Sequence, residues 1–593
     1  MGALKLLKTS AGPQQTNISL LFFSCLKTDI NHLPGLFVKV VLEYDVIRPT
    51  KEAHMIHFKP GSKSSLKGLR ALWSAFLMVG SFISIANAAS IPADLREVHV
   101  LNRLGFGPRP GDIEQVRSIG VDRYIDEQLS PRNISLPQSL VTRLDSLETL
   151  RLSAPQLFIE YGPPSYSKPG DPQAAQSGRQ RARVIVDQTF EGRLLRAVES
   201  PRQLEEVMVN FWFNHFNVFS QKGLDHLWIG SYEEEAIRPF VLGRFRDLLG
   251  ATAKHPAMLF YLDNWLNTAP NSPGVRGQFK GLNENYAREL MELHTLGVDA
   301  GYTQADVITL ARILTGWGYR RPGQPLQQNA ALRKFAPVDA DNVTFSNGFF
   351  FDANRHDSST KVFLGRTIRG SGVGEGEEAL DILAQHPSTA RHISFKLAQY
   401  FVADDPPKSL VDRLARRFAD TRGDIRAVLD TLFHSPEFWD DQYVGKKFKT
   451  PYEYVISAVR ATGISVVNTQ PIRGVIAQLG MPPYGCQTPD GYKNGRDAWL
   501  NPNAMTQRLN FATALGAGQL RLAEQPRNAM DEMTPAAEKR MDSQPPADKP
   551  VDYTMLVNTV GNKISQQTRT TVDDSPPALR AALILGSPEF MHR

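Results

Sequence analysis

The sequence predicts a mainly α, multi-helix globular protein with a small β-hairpin or three-stranded insertion near residues 343–364. Three observations lead there. Apolar residues recur at helical spacing along most of the chain after residue 93, and Gly and Pro punctuate them at short intervals. A single stretch breaks the pattern by placing Asn347-Gly348 between two apolar runs, the signature of a tight hairpin. A composition of 41% hydrophobic and 22% charged residues suits a chain that buries a substantial core.

The elements follow in chain order. Ala71 to Ile85 (ALWSAFLMVGSFISI) is an apolar run preceded by Lys59, Lys63, Lys67 and Arg70 and followed by Ala86-Asn87-Ala88. Basic, apolar and small-residue regions in that order predict a secretory signal peptide cleaved after Ala88. The run is shorter than the roughly 20 residues a spanning helix needs, so no stable transmembrane segment is expected in the mature chain. Such a signal belongs at a chain start, and Met55 supplies one; residues 1–54 then read as an over-extended start and 55–88 as the signal. No twin-arginine pair precedes the run, which favours the general secretory route, with periplasm, cell surface and medium all open as destinations.

Residues 89–593 are expected to form a single helical domain, either one body or two lobes divided near residues 330–370. Leu95, Val98, Leu101 and Leu104 share a helix face that ends at Gly105-Phe106-Gly107-Pro108. Helices follow around Ile113, Val116 and Ile119, and around Tyr124, Ile125 and Leu129. Further helices are predicted over 183–199, 202–220, 233–249, 283–296, 303–315, 389–402, 424–433 and 452–462. The hairpin spans Val343 to Phe351, and Lys361 to Leu364 is expected to add a third strand. Segments 162–177 and 525–549, rich in Pro, Ser, Gln and charge, read as mobile loops or linkers. Ser435-Pro436-Glu437-Phe438 and Ser587-Pro588-Glu589-Phe590 each follow an apolar helix and read as repeated structure, a helix end with an inward Phe.

Composition excludes several functions. Only Cys25 and Cys486 occur, the first in the leader, so the mature chain has no internal disulfide and no two-cysteine zinc site. The net charge of +6 lies partly in the leader, so nucleic acid is not an expected partner. His-Glu-x-x-His, Gly-x-Ser-x-Gly and Gly-x-x-x-x-Gly-Lys are absent, and no nucleotide cofactor is expected; the metal and any other cofactor are left unknown. Gly370-Ser371-Gly372-Val373-Gly374-Glu375-Gly376 puts Glu375 where a dinucleotide fingerprint needs its third glycine, so it reads as a flexible loop.

The candidate chemistry lies on two helices and a loop. Asn210, Asn214, Asn217 and Gln221 make a polar stripe on an otherwise aromatic helix, whose buried amides need partners from other helices or from a ligand. Asn285, Glu289 and Glu292 share a face, with Arg288 placed to pair with Glu292. Two carboxylates one turn apart bind a cation or push one pKa into the general-acid range, and an Arg–Glu network locking helices together is the structural alternative. Glu289, Glu292, His356 and Asp357 are the candidate acids and bases, the last two in a loop after the hairpin. Asn214, His215, Asn217, Asn285, Arg288 and Trp317 are the candidate binding residues. His255 and His294 complete the ionisable candidates.

The block Asn283-Glu284-Asn285-Tyr286-Ala287-Arg288-Glu289-Leu290-Met291-Glu292-Leu293-His294-Thr295-Leu296-Gly297, followed by Gly301-Tyr302-Thr303-Gln304-Ala305-Asp306-Val307 and Leu314-Thr315-Gly316-Trp317, resembles the signature of the bacterial family catalogued as domain of unknown function 1800. Leu101 to Pro108, Trp212 to Phe216, His386 to Ala390, Lys449-Thr450-Pro451 and Arg508 to Phe511 extend the resemblance over the mature chain. It implies an exported, helical protein, encoded in many genomes beside an exported family similar to sulfatases and phosphatases, and it supplies no catalytic residues. The expected function is an extracytoplasmic hydrolase of carbohydrate or another envelope polymer. The alternative is a non-catalytic binding or assembly partner of that sulfatase- or phosphatase-like companion.

Overall fold

Punctuation by Gly and Pro sets the first helices. In the computed structural model, which describes residues 92–163, 172–320, 343–344, 347–524, 548–561 and 564–593, α1 (Ala93–Arg103), α2 (Asp112–Ile119) and α3 (Val121–Leu129) occupy the expected places. Val98, Leu101, Ile113, Val116, Ile125 and Leu129 turn inward. Gly107 has φ 94°, and a Cβ there would lie 2.8 Å from Ser457 Oγ, so the turn after α1 demands glycine. The leader and start-site expectations fall outside the described residues, as do 164–171 and 525–547 of the two expected loops.

The next helices are α4 (Gln138–Asp145), α5 (Ala154–Tyr161), α6 (Pro172–Glu199) and α7 (Gln203–His215). Because α6 starts at Pro172, residues 172–177 are helical and not linker. The single helix expected over 233–249 is broken. After α8 (Asp225–Ser231) a π turn (Tyr232–Ile237) loosens the ladder, Pro239 removes a backbone donor, and the chain restarts as α9 (Phe245–Lys254). Short α10 (Pro256–Tyr261), α11 (Asn285–Glu292) and α12 (Gln304–Ile313) follow.

The β insertion holds the predicted hairpin, with a different third strand. β1 (Trp317–Tyr319), β2 (Val343–Thr344) and β3 (Phe349–Phe351) form an antiparallel sheet in the order β1-β3-β2, with Trp317 and Val343 both opposite Phe351. Lys361–Phe363 (β4) pairs instead with Arg366–Ile368 (β5), through a turn in which Leu364 and Gly365 both have positive φ. That two-residue turn twists with its strands and closes a hairpin of its own.

The remaining helices are α13 (Val373–Ala384), α14 (Pro387–Phe401), α15 (Lys408–Asp420), α16 (Ile425–Phe433), α17 (Pro451–Thr462), α18 (Gln470–Gln478), α19 (Pro502–Gly516), α20 (Tyr553–Val560), α21 (Gln566–Asp573) and α22 (Pro577–Leu585). The expected flexible loop at 370–376 thus ends in a helix, since α13 begins at Val373. The repeated Ser-Pro-Glu-Phe is repeated structure: Ser435 and Ser587 accept from the Phe438 and Phe590 backbone N–H groups at 3.3 and 3.2 Å, and both rings are buried. Residues Ser84–Arg593 form one compact unit. Among the described residues no helix is long and apolar enough to cross a membrane.

Candidate functional site

The aromatic run Phe211-Trp212-Phe213 buries α7, so its amides must bond within the protein. Their partner is the loop 484–492. Asn214 brackets Tyr492, donating to its carbonyl at 2.8 Å and accepting from its N–H at 2.8 Å. Asn217 donates to the carbonyls of Cys486 and Thr488 at 3.0 and 2.9 Å, and the Tyr261 hydroxyl donates to that of Gln487 at 2.9 Å. Asn210 accepts from Arg193 at 2.8 Å. The approach is so close that a Cβ on Gly491 would lie 2.2 Å from the Asn214 carbonyl oxygen.

The clamped loop presents Asp490, which accepts from Thr488 Oγ1 at 2.6 Å and Lys493 Nζ at 2.5 Å. Burial raises the Asp490 carboxyl, but Lys493 and Thr488 outweigh it and hold the group below the usual carboxylate range. Glu289 on α11 lies within its electrostatic reach. Burial, then Glu292 one turn on, then Asp490 raise Glu289, against the pull of Arg288. Tyr302 is raised by burial and by its bond to Glu292. Arg288 does not pair with Glu292 as expected; it reaches back one turn to Glu284 at 3.1 Å and across to Gln304 at 2.9 Å, leaving the Glu289–Glu292 repulsion in place. Asn285 is exposed and donates to the Leu262 carbonyl at 3.2 Å.

His215 ties the two helices together. Its Nε2 donates to the His294 carbonyl at 3.1 Å, and His392 of α14 donates to that of Leu293 at 3.3 Å. The His215 ring lies 6.1 Å from that of His294 and 6.3 Å from that of His392. Burial depresses all three, His294 to about 3 and His392 to about 4, so the imidazoles are neutral. Lys396, one turn beyond His392, is lowered by burial and by Lys493 and raised by Asp490. Among the described residues no group of three or more His, Cys, Asp or Glu is arranged to hold a metal ion.

His356 and Asp357 lie apart from this cluster. His356 is buried, with Nδ1 donating to the Thr315 carbonyl at 2.9 Å and Nε2 3.1 Å from Glu375 Oε1, while Lys361 Nζ is 2.6 Å from Glu375 Oε2. Asp357 accepts from Arg312 at 2.8 Å and Ser359 at 2.6 Å; these bonds overcome burial and hold it at about 2. Trp317 is wholly buried, so tight against α13 that a Cβ on Gly376 would lie 2.0 Å from its ring. His356 and Trp317 are thus core residues, and half-buried Asp357 is held by Arg312 and Ser359.

The structure joins Asn214 and Asn217 to the loop 484–492 and His215 to the His294 carbonyl, and sets Glu289 in electrostatic reach of Asp490, while Asp490, Lys396, Tyr261 and Glu375 are not among the sequence candidates. Asp490 lies in a loop without periodicity; its one signal is the Pro489-Asp490-Gly491 turn. A family model described as "Protein of unknown function (DUF1800)" matches residues 99–592. No curated protein and no solved structure matches the chain.

Proposed function

The chain belongs to the DUF1800 family, whose description assigns no activity, and from that premise we propose that it is an exported hydrolase acting on carbohydrate in the cell envelope, working at the face of α11 and the loop 484–492. One observation carries this reading: two carboxyl groups within electrostatic reach, Glu289 and Asp490, have environments that push their pKa values in opposite directions. That division separates an acid from a base in glycoside hydrolysis. Glu289, whose surroundings favour the protonated form, donates a proton to the glycosidic oxygen as the bond to the anomeric carbon breaks. Asp490, ionised, steadies the developing positive charge and takes a proton from the water whose oxygen bonds that carbon. Half-buried Tyr492 and Tyr302 offer the ring faces a sugar stacks on. The signal-like segment 55–88 supports an envelope location.

The test is release of reducing ends from purified envelope polysaccharide, comparing the full chain with Glu289→Gln. Loss of a general acid costs roughly 10²–10⁴ in rate, so turnover should fall at least a hundredfold while the fold persists. Equal release by both proteins would sink the proposal. The internal satisfaction of Asn210, Asn214 and Asn217 supports a second reading, a non-catalytic binding or assembly protein, for which the family resemblance suggests a sulfatase- or phosphatase-like exported partner. In that case Glu289→Gln leaves the activity of the complex intact.

A further inference from the structure

A niche of about 30 Å³ lies between α7 and the loop 484–492, with walls that include Asn210, Phe213, Asn214, Tyr452, Met481 and Tyr492. One water needs roughly 10–15 Å³ of such space, so the niche takes about two water-sized groups. Asn214 and Tyr492 are half-buried and carry it to the surface, and Tyr492 stands two residues from Asp490. The mouth therefore belongs to the loop that presents Asp490.

Its walls are mostly apolar, and the charge behind them is balanced. The Arg193 guanidinium lies 5.2 Å from the ring centroids of Phe213 and Tyr484 and 5.4 Å from that of Tyr452. It donates to Glu233 at 3.0 Å and to Asn210 Oδ1 at 2.8 Å, and the Tyr484 hydroxyl donates to Glu233 at 2.8 Å. Arg193 and Arg238 are matched by Glu233 and Glu206. The Asn210 amide has a donor to spare. Its Nδ2 carries two hydrogens, and the bond to the Tyr400 hydroxyl engages one of them.

We propose that the niche receives the acetamido group of a 2-acetamido sugar, whose carbonyl oxygen accepts from Asn210 Nδ2 and whose methyl packs against Phe213, Tyr452 and Met481. The proposal rests on the reading of this face as a carbohydrate site and names the substrate class. A carboxylate would add a negative charge beside Glu233, and an ammonium group a positive one beside Arg193, where the charges already match. Two waters would satisfy Asn210 and leave the apolar walls wet. A methyl and a carbonyl oxygen are two groups of the right size, one suited to the rings and one to the amide.

The full chain carrying Glu289→Gln, which suppresses turnover, is titrated calorimetrically with triacetylchitotriose, chitotriose and cellotriose. These share their linkage and differ at the 2-position, which bears an acetamido group, an amine or a hydroxyl. Triacetylchitotriose is expected to bind at least tenfold more tightly than the other two. Asn210→Asp keeps acceptors toward Arg193 and Tyr400 and removes the donor, so it should weaken triacetylchitotriose about tenfold and leave cellotriose unchanged. Met481→Phe fills the niche and should cause the same selective loss; it decides if Asn210→Asp does not fold. Equal binding of triacetylchitotriose and cellotriose, or an acetamido preference that survives both substitutions, overturns the niche and leaves the carbohydrate reading standing. Binding of none of the three also overturns it, and release of reducing ends from envelope polysaccharide by the parent then decides separately on that reading.

Discussion

Glu289 is raised mainly because burial strips water from its carboxylate, with Glu292 and Asp490 adding repulsion. The folded chain therefore keeps a proton that the unfolded chain has lost in the interval above the ordinary carboxylate value of about 4.3. In that interval the native state binds more protons, so stability falls as pH rises and the penalty is complete above the folded pKa. Glu289→Gln removes the penalty. Its urea midpoint should exceed that of the parent near about pH 8 and converge with it near about pH 4; a variant less stable at the higher pH would show that Glu289 is held by a cation. Asp357 has the opposite sign, its stabilising bonds to Ser359 and Arg312 being lost only as pH falls toward about 2. The two carboxyls looked alike as candidates in the sequence. What separates them is whether an arginine donates directly to the carboxylate: Arg312 does so to Asp357, whereas Arg288 is turned to Glu284 and Gln304, and the sequence does not display that choice of partners.

At the scale of elements, apolar periodicity made the helices legible, and most boundary errors fall where a polar residue acts on a distant backbone. The 202–220 helix ends at His215 because Asn217 and Ser220 bond the 484–488 loop instead of continuing the helix. The glycines of 370–376 suggested flexibility, yet Gly372 at φ 62° turns the chain into α13 and Gly376 seats it against Trp317. Glu375 is then driven into the core, where it joins α13 to β4 through Lys361 and to the loop through His356. Both side chains of the Lys361–Glu375 pair are fully buried, so removing one partner strands the other charge. Glu375→Ala should cost about 3–5 kcal/mol in chemical denaturation. The double variant Lys361→Met with Glu375→Leu should recover much of that loss, and failure to recover any would locate the cost in the cavity and not in the stranded charge.

Over the whole molecule, long-range closure rests on buried arginines, which a sequence reading assigns to the surface by default. Arg103 of α1 donates to the carbonyls of Phe401 and Val402, at 2.8 and 3.2 Å, and to that of Tyr443 at 2.6 Å. Arg593 donates to the neighbouring Tyr400 carbonyl at 3.0 Å, pairs with Glu453 at 2.9 Å, and exchanges backbone bonds with Lys447. Segments far apart in sequence thus fasten to the same end of α14, which makes separate unfolding of either one costly. Arg593→Ala would leave Glu453, a buried carboxylate held below its usual range against the cost of burial chiefly by Arg593, without that cation. The loss should be about 3–5 kcal/mol, and it should appear as one shifted transition, with tryptophan fluorescence and far-UV circular dichroism coinciding. Two separated transitions, one at the parent midpoint, would mean that the C-terminal helices dock on a core that stands without them.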